Sequence, residues 1–214
     1  MKALCFADVH AKISFLPALE NILAANNFDL ILFPGDLVNV GREMEYAERF
    51  IKIIQKSGVP TFWVPGNNDV GEAYHLLQAG LTSVENKKIK FADLKIVGMG
   101  GVPDLWGHNI FPPKVSDADI ENSIFLSHIP PKNFKNFRKF DHSEIDDGVE
   151  LKNAPRIQIC GHQHHYWGVS YIGKTKILKL PAGLLMMAAN LDTGSLKVEF
   201  IDLSNYDKVK VILR

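Results

Sequence analysis

Apolar residues along the first third of the chain fall in short uninterrupted runs, each ending in a polar turn that leads to a segment with helical spacing. Ala3 to Ala7 is the first run, and it ends at Asp8-Val9-His10. Ser14 to Asn26 follows, with Phe15, Leu16, Leu19, Ile22 and Leu23 at helical intervals and Ser14 suited to the N-cap. Leu30 to Phe33, the turn Pro34-Gly35-Asp36 and a helix over Glu43 to Lys56 repeat the unit. Met44, Ala47, Phe50, Ile51 and Ile54 form its apolar stripe, and Gly58 and Pro60 stop it. A third unit consists of Phe62-Trp63-Val64, the turn Pro65-Gly66-Asn67-Asn68-Asp69 and a helix over Gly71 to Ala79. Strands that are apolar throughout and alternate with helices predict a parallel sheet covered on both faces. Open sheets of this kind carry their sites beyond the carboxyl ends of the strands, where the polar turns lie.

From Leu81 the period changes. Lys88 to Phe91 and Lys95 to Val97 read as a hairpin, closed by Gly98-Met99-Gly100-Gly101. Val102 to Lys114, with Trp106, His108 and Phe111, is a long loop that is either a lid or an Ω-loop without catalytic duties. As a lid it would shape a substrate pocket together with Phe134 to His142. Ile124 to Ser127 is a strand running into His128. Lys132 to Lys139 is basic, with Phe134, Phe137 and Phe140 among the charges, and the acidic stretch Asp141 to Glu150 makes the pair a solvated, salt-bridged face. Ile157 to Ile159 leads into Cys160-Gly161-His162-Gln163-His164, after which Gly168 to Ile172, Lys176 to Leu180 and Leu196 to Ile201 read as antiparallel strands. Without an internal repeat or linker, residues 1–214 read as one domain.

Composition narrows the function classes. Lys plus Arg equals Asp plus Glu at 24 each, so no overall field favours nucleic acid or an anionic membrane. The two cysteines, Cys5 and Cys160, lie inside apolar runs and read as inert buried thiols. The opening Met-Lys-Ala-Leu-Cys-Phe-Ala is too short for a signal-peptide core, and no run reaches the roughly 18 apolar residues that span a bilayer. The expectation is a cytoplasmic protein acting on a small molecule.

Five turns carry the candidate chemistry: Asp8 and His10; Asp36; Asn67, Asn68 and Asp69; His128; His162 and His164. Residues at i and i+2 of an extended segment project from one face about 6.5 to 7 Å apart, so His162 and His164 can serve neighbouring points. Carboxylate, amide oxygen and imidazole suit Mn, Fe, Zn or Ni better than structural zinc, which prefers thiolate. Taken singly, Asp8 or Asp36 would serve as a helix cap and His128 as a packed histidine. Together they share one placement, each following a strand.

The ordered set D-x-H, G-D, G-N-x-[DE], H and G-H-x-H, carried by Asp8 and His10, Gly35-Asp36, Gly66 to Asp69, His128 and Gly161 to His164, resembles the calcineurin-like metallophosphoesterase family. The resemblance implies a four-layer α/β/β/α sandwich of two mixed sheets flanked by helices. It also implies two divalent ions, Mn foremost, with Asp8, His10 and His164 holding one, Asn67, His128 and His162 the other, and Asp36 bridging. Such a pair binds phosphoryl oxygens and acidifies a bridging water that attacks in line, so hydrolysis of a phosphodiester, nucleotide or pyrophosphate is implied. The family commonly has histidine where this chain has Asn68, which donates a hydrogen bond but does not titrate. Asn68 and Asp69 are the candidate catalytic residues outside the ligand set. A non-catalytic scaffold of the same fold and a nuclease are the rival readings.

Overall fold

The structure, a computed structural model, describes residues 1–40, 42–100, 116–131, 153–204 and 210–212. The loop Val102 to Lys114 and the segments Lys132 to Lys139 and Asp141 to Glu150 lie outside them.

The three predicted crossovers are present. Strand β1 (Lys2–Cys5) leads to helix α1 (Phe15–Ala25), β2 (Leu30–Phe33) to α2 (Met44–Ser57), and β3 (Thr61–Trp63) to α3 (Gly71–Gly80) and the short β4 (Thr82–Ser83). Ser14 does occupy the N-cap of α1, but its side chain makes no capping bond; the hydroxyl donates to Met186 Sδ at 3.1 Å. Gly58 ends α2 with φ 68° in the left-handed region, where glycine carries no Cβ penalty. The second half supplies the hairpin β5 (Lys87–Phe91) and β6 (Leu94–Met99), a short α4 (Asp117–Ile120), then β7 (Ile124–Ser127), β8 (Ile157–Cys160), β9 (Gly168–Ile172) and β10 (Thr175–Lys179). A 3-10 turn (Gly183–Leu185) precedes strands β11 (Met187–Asp192), β12 (Val198–Asp202) and β13 (Lys210–Ile212), which complete the described elements.

Two mixed sheets result, one in the order β13-β12-β11-β1-β2-β3-β4 and the other β5-β6-β7-β8-β10-β9. The parallel strands β1 to β4 step in one direction, so right-handed crossovers leave α1, α2 and α3 on one face. Alternation inside the apolar runs divides two cores. Leu4, Phe6, Ile31, Phe33 and Trp63 pack against the helices with Leu19, Ile22, Phe50 and Ile54. Ala3, Cys5, Leu30, Leu32 and Phe62 turn the other way, onto Ile96, Leu126, Ile159 and Leu178 of the second sheet. The runs are apolar at every position because both faces of the strands are buried, one by helices and the other by a sheet. Beyond the second sheet, Ile120 of α4 packs on Val97 and Phe125. The chain is an α/β sandwich.

Strand β11 is unannounced by the hydrophobic pattern, yet it joins the two ends of the chain. It pairs antiparallel with β1 from Lys2↔Asp192 to Cys5↔Ala189, and with β12 on its other side.

Candidate metal centre

Loops at the carboxyl ends of parallel strands bring the predicted side chains together. Asp8 and His10 follow β1, Asp36 follows β2, Asn67 to Asp69 follow β3, His128 follows β7, and His162 and His164 follow β8. The backbone leaves these strands abruptly, and Asp8, His10, Asp36 and His162 have φ values of 54°, 47°, 58° and 77°. Left-handed backbone at residues other than glycine is strained and concentrates at functional sites. The turns bearing Asp36 and Asn67 touch directly, because a Cβ on Gly35 would lie 2.2 Å from the Gly66 nitrogen and one on Gly66 2.1 Å from Asp36 Oδ1. Any side chain at either glycine would push the two turns apart.

Two groups of donor atoms meet at Asp36. His128 Nε2, His162 Nδ1 and Asn67 Oδ1 form a triangle with edges of 3.0, 3.0 and 3.2 Å, and Asp36 Oδ2 lies 3.4 Å from His128 Nε2. On the other side, His10 Nε2 lies 2.9 Å from His164 Nε2 and 3.6 Å from the same Asp36 oxygen, and His164 Nε2 is 3.9 Å from Asp8 Oδ1. A proton satisfies one edge of the triangle, whereas a cation satisfies all three corners. Ligand atoms each about 2.1 Å from one ion stand about 3 Å apart when at right angles around it, so these spacings fit a first-row dication. His128 is turned correctly for this, since its Nδ1 faces the Pro34 carbonyl at 2.8 Å and leaves Nε2 pointing inward. Asp8 is held by the His162 backbone N–H, which donates to both carboxylate oxygens at 3.0 Å.

Charge is shared unevenly across the cluster. Burial opposes a charge on His128, yet the Asp36 carboxylate beside it outweighs that and holds the imidazole up to about 9. Burial likewise opposes ionisation of Asp36, but the His128 charge and the Asn68 hydrogen bonds hold it well below the usual carboxylate range. Burial and the neighbouring His128 charge push His162 down to about 4.

Asn68 and Asp69 reach this cluster differently. Asn68 donates its backbone N–H to Asp36 Oδ1 and its side-chain amide to Asp36 Oδ2, both at 2.8 Å. Asp69 is fully buried and accepts the backbone N–H groups of Asp36, Leu37, Val38 and Gly66 at 2.7, 2.8, 3.4 and 3.0 Å. Its carboxylate therefore ties the second and third motif turns together.

Sequence reasoning passed over two nearby residues. Lys179 has no exposed surface, donates to the Leu180 carbonyl at 3.2 Å, and has its pKa lowered by burial against the opposing pull of Asp8. Its only signal is a lone lysine in the apolar Ile177-Leu178-Lys179-Leu180. Asn39 faces His10 Nδ1 with Oδ1 at 3.1 Å and has no signal beyond its place three residues after Asp36.

A family model for calcineurin-like phosphoesterases matches residues 1–166. The chain belongs to the calcineurin-like phosphoesterase family. A stretch of 62 residues is 40% identical to the 3',5'-cyclic adenosine monophosphate phosphodiesterase CpdA of Haemophilus influenzae, covering 28% of this chain and 22% of that relative, so the match spans about a fifth of the relative's length. Among solved structures, TT1561 of Thermus thermophilus superposes with a TM-score of 0.67 at 16% identity over 94% of this chain and 98% of that one. The E. coli phosphoesterase YfcE does so with a TM-score of 0.56 at 17% identity over 100% and 97%. These likenesses show the same calcineurin-like fold. Among the described residues no helix is long and apolar enough to cross a membrane.

Proposed function

We propose that this chain is a metal-dependent phosphodiesterase with a dinuclear centre, in which Asp8, His10 and His164 hold one divalent ion, Asn67, His128 and His162 the other, and Asp36 bridges. The observation that carries the reading is the meeting of both donor groups at Asp36 Oδ2, 3.4 Å from His128 Nε2 and 3.6 Å from His10 Nε2. Held by these residues, two such ions, Mn foremost, would supply the positive charge that stabilises a phosphoryl group and would lower the pKa of a water toward neutrality. Asn68 anchors the bridging carboxylate. Because its amide carries no titratable proton, the leaving oxygen departs without an acid from this position. Asp69 acts through position, holding the two motif turns in register. A diester, with its single negative charge, fits better than a monoester, because no exposed cationic clamp stands among the described residues of the motif turns; a nucleotide or pyrophosphate bond belongs to the same reading. Residues 1–214 act as one domain, in which β11 and β12 extend the sheet that bears Asp8 and Asp36.

The test is hydrolysis of bis-p-nitrophenyl phosphate and a nucleotide panel by metal-stripped protein reconstituted with Mn. Activity should appear with metal, vanish with chelator and exceed that on the matching monoesters. Metal-saturated protein inert toward the whole panel would overturn the reading in favour of a binding scaffold.

A further inference from the structure

We infer that Glu43 and Asn39 form a two-step positioning relay that fixes the His10 ring with its Nε2 lone pair turned into the centre. The hydrogen bonds determine each step. A carboxylate only accepts, and Glu43 Oε2 takes the Asn39 backbone N–H at 2.8 Å while Oε1 takes the Asn39 side-chain nitrogen at 3.2 Å. The same Asn39 nitrogen donates to the His10 carbonyl at 3.2 Å. Both amide hydrogens are then committed, and the amide cannot rotate end for end without setting its oxygen against the carboxylate and the carbonyl. Asn39 Oδ1 is left facing His10 Nδ1 at 3.1 Å. An oxygen without hydrogen accepts, so Nδ1 carries the ring proton and Nε2 keeps its lone pair, 2.9 Å from His164 Nε2 and 3.6 Å from Asp36 Oδ2.

The surroundings fit this assignment. Glu43 stands at the N-cap of α2 but makes no capping bond; its carboxylate points back to the preceding turn. Serine, threonine, aspartate or asparagine would cap that helix better, so the position serves the turn and not the helix. His128 gets the same service from a backbone carbonyl, that of Pro34. Partners that fix the tautomer of a ligating histidine typically contribute about 10- to 100-fold to metal affinity. That affinity consequence rests on the dinuclear reading above, whereas the ring tautomer does not.

The experiment records two-bond proton–nitrogen spectra of the imidazoles in metal-free protein at pH 8, with His10 assigned from a His10→Gln variant. Wild type should show His10 protonated at Nδ1. Asn39→Ala should give a mixture of tautomers, and Glu43→Gln, which lets the amide rotate, a partial one. Thermal melts confirm that each variant is folded. In zinc competition titrations Asn39→Ala should weaken one of two equivalents about 10- to 100-fold and leave the other unchanged. His10 protonated at Nε2 in wild type, or a tautomer unaffected by Asn39→Ala, overturns the relay. Tautomers that follow the relay in a protein that binds no zinc uphold it and overturn the dinuclear reading instead.

Discussion

Replacing Asp69 with alanine would remove the tie between the second and third motif turns, and its cost can be worked from the hydrogen bonds it makes. Three short bonds, from Asp36, Leu37 and Gly66 at 2.7, 2.8 and 3.0 Å, would leave buried amides without partners. At about 2 kcal/mol for each buried donor left unpaired, the loss is about 6 kcal/mol. Against this stands the burden of the buried charge: burial, and then the Asp36 charge, push the Asp69 carboxyl from 3.8 up to about 6. That rise corresponds to about 3 kcal/mol at pH 8, where the group is ionised in both folded and unfolded protein. The net destabilisation is therefore about 3 kcal/mol, and for a chain of this size a melting temperature lower by about 6 to 12 °C. Urea unfolding of metal-free protein followed by far-ultraviolet circular dichroism, with calorimetric melts in parallel, measures it. Asp69→Asn, which keeps one accepting oxygen, should fall between. A loss below about 1 kcal/mol would refute the loop-tie reasoning, and unchanged stability with abolished hydrolysis would make Asp69 a catalytic residue.

Two further outcomes follow from the same cluster. Restoring the family's usual residue with Asn68→His should speed alkyl diesters more than aryl diesters, on the order of 10²-fold for a well-placed acid. The measurement is kcat/KM over a leaving-group series at fixed metal occupancy, and parallel lines for the two proteins would mean that Asn68 does not mark a missing acid. In metal-free protein, His128 is held up to about 9, above its ordinary value, so its stabilising contribution is complete below pH 6.5 and fades as pH rises through 9. The melting temperature should accordingly fall between pH 7 and 9.5 and flatten in His128→Gln; a flat wild-type profile contradicts the His128–Asp36 pairing.

The sequence made legible those parts of the fold that depend on local pattern. Uninterrupted apolar runs such as Leu30 to Phe33 mark strands buried on both faces, and the polar residue after each run belongs to the loop cluster. What stayed hidden depends on contacts far apart in the chain. Strand β11 reads Met-Ala-Ala-Asn-Leu-Asp, with small and polar residues that neither alternate nor form a run, and it is defined by pairing with β1. Ser14 suits an N-cap, but the cap is lost to Met186, a partner supplied by the other end of the chain. Asn39 is an ordinary turn residue until His10 and Glu43 are brought beside it. The candidate ligands were legible because each sits at a fixed place after a strand; the residues hydrogen-bonded to them were not, because each is defined by the neighbour it touches.

The central claim is that both donor groups hold a metal ion and share Asp36. Elemental analysis of stripped protein reconstituted with Mn tests it most directly, comparing wild type with Asp36→Ala after buffer exchange, with circular dichroism showing both to be folded. The account predicts close to two equivalents of Mn per chain in wild type and a loss of both when the shared carboxylate is removed. Wild-type stoichiometry near zero, or two equivalents retained in Asp36→Ala, would contradict it.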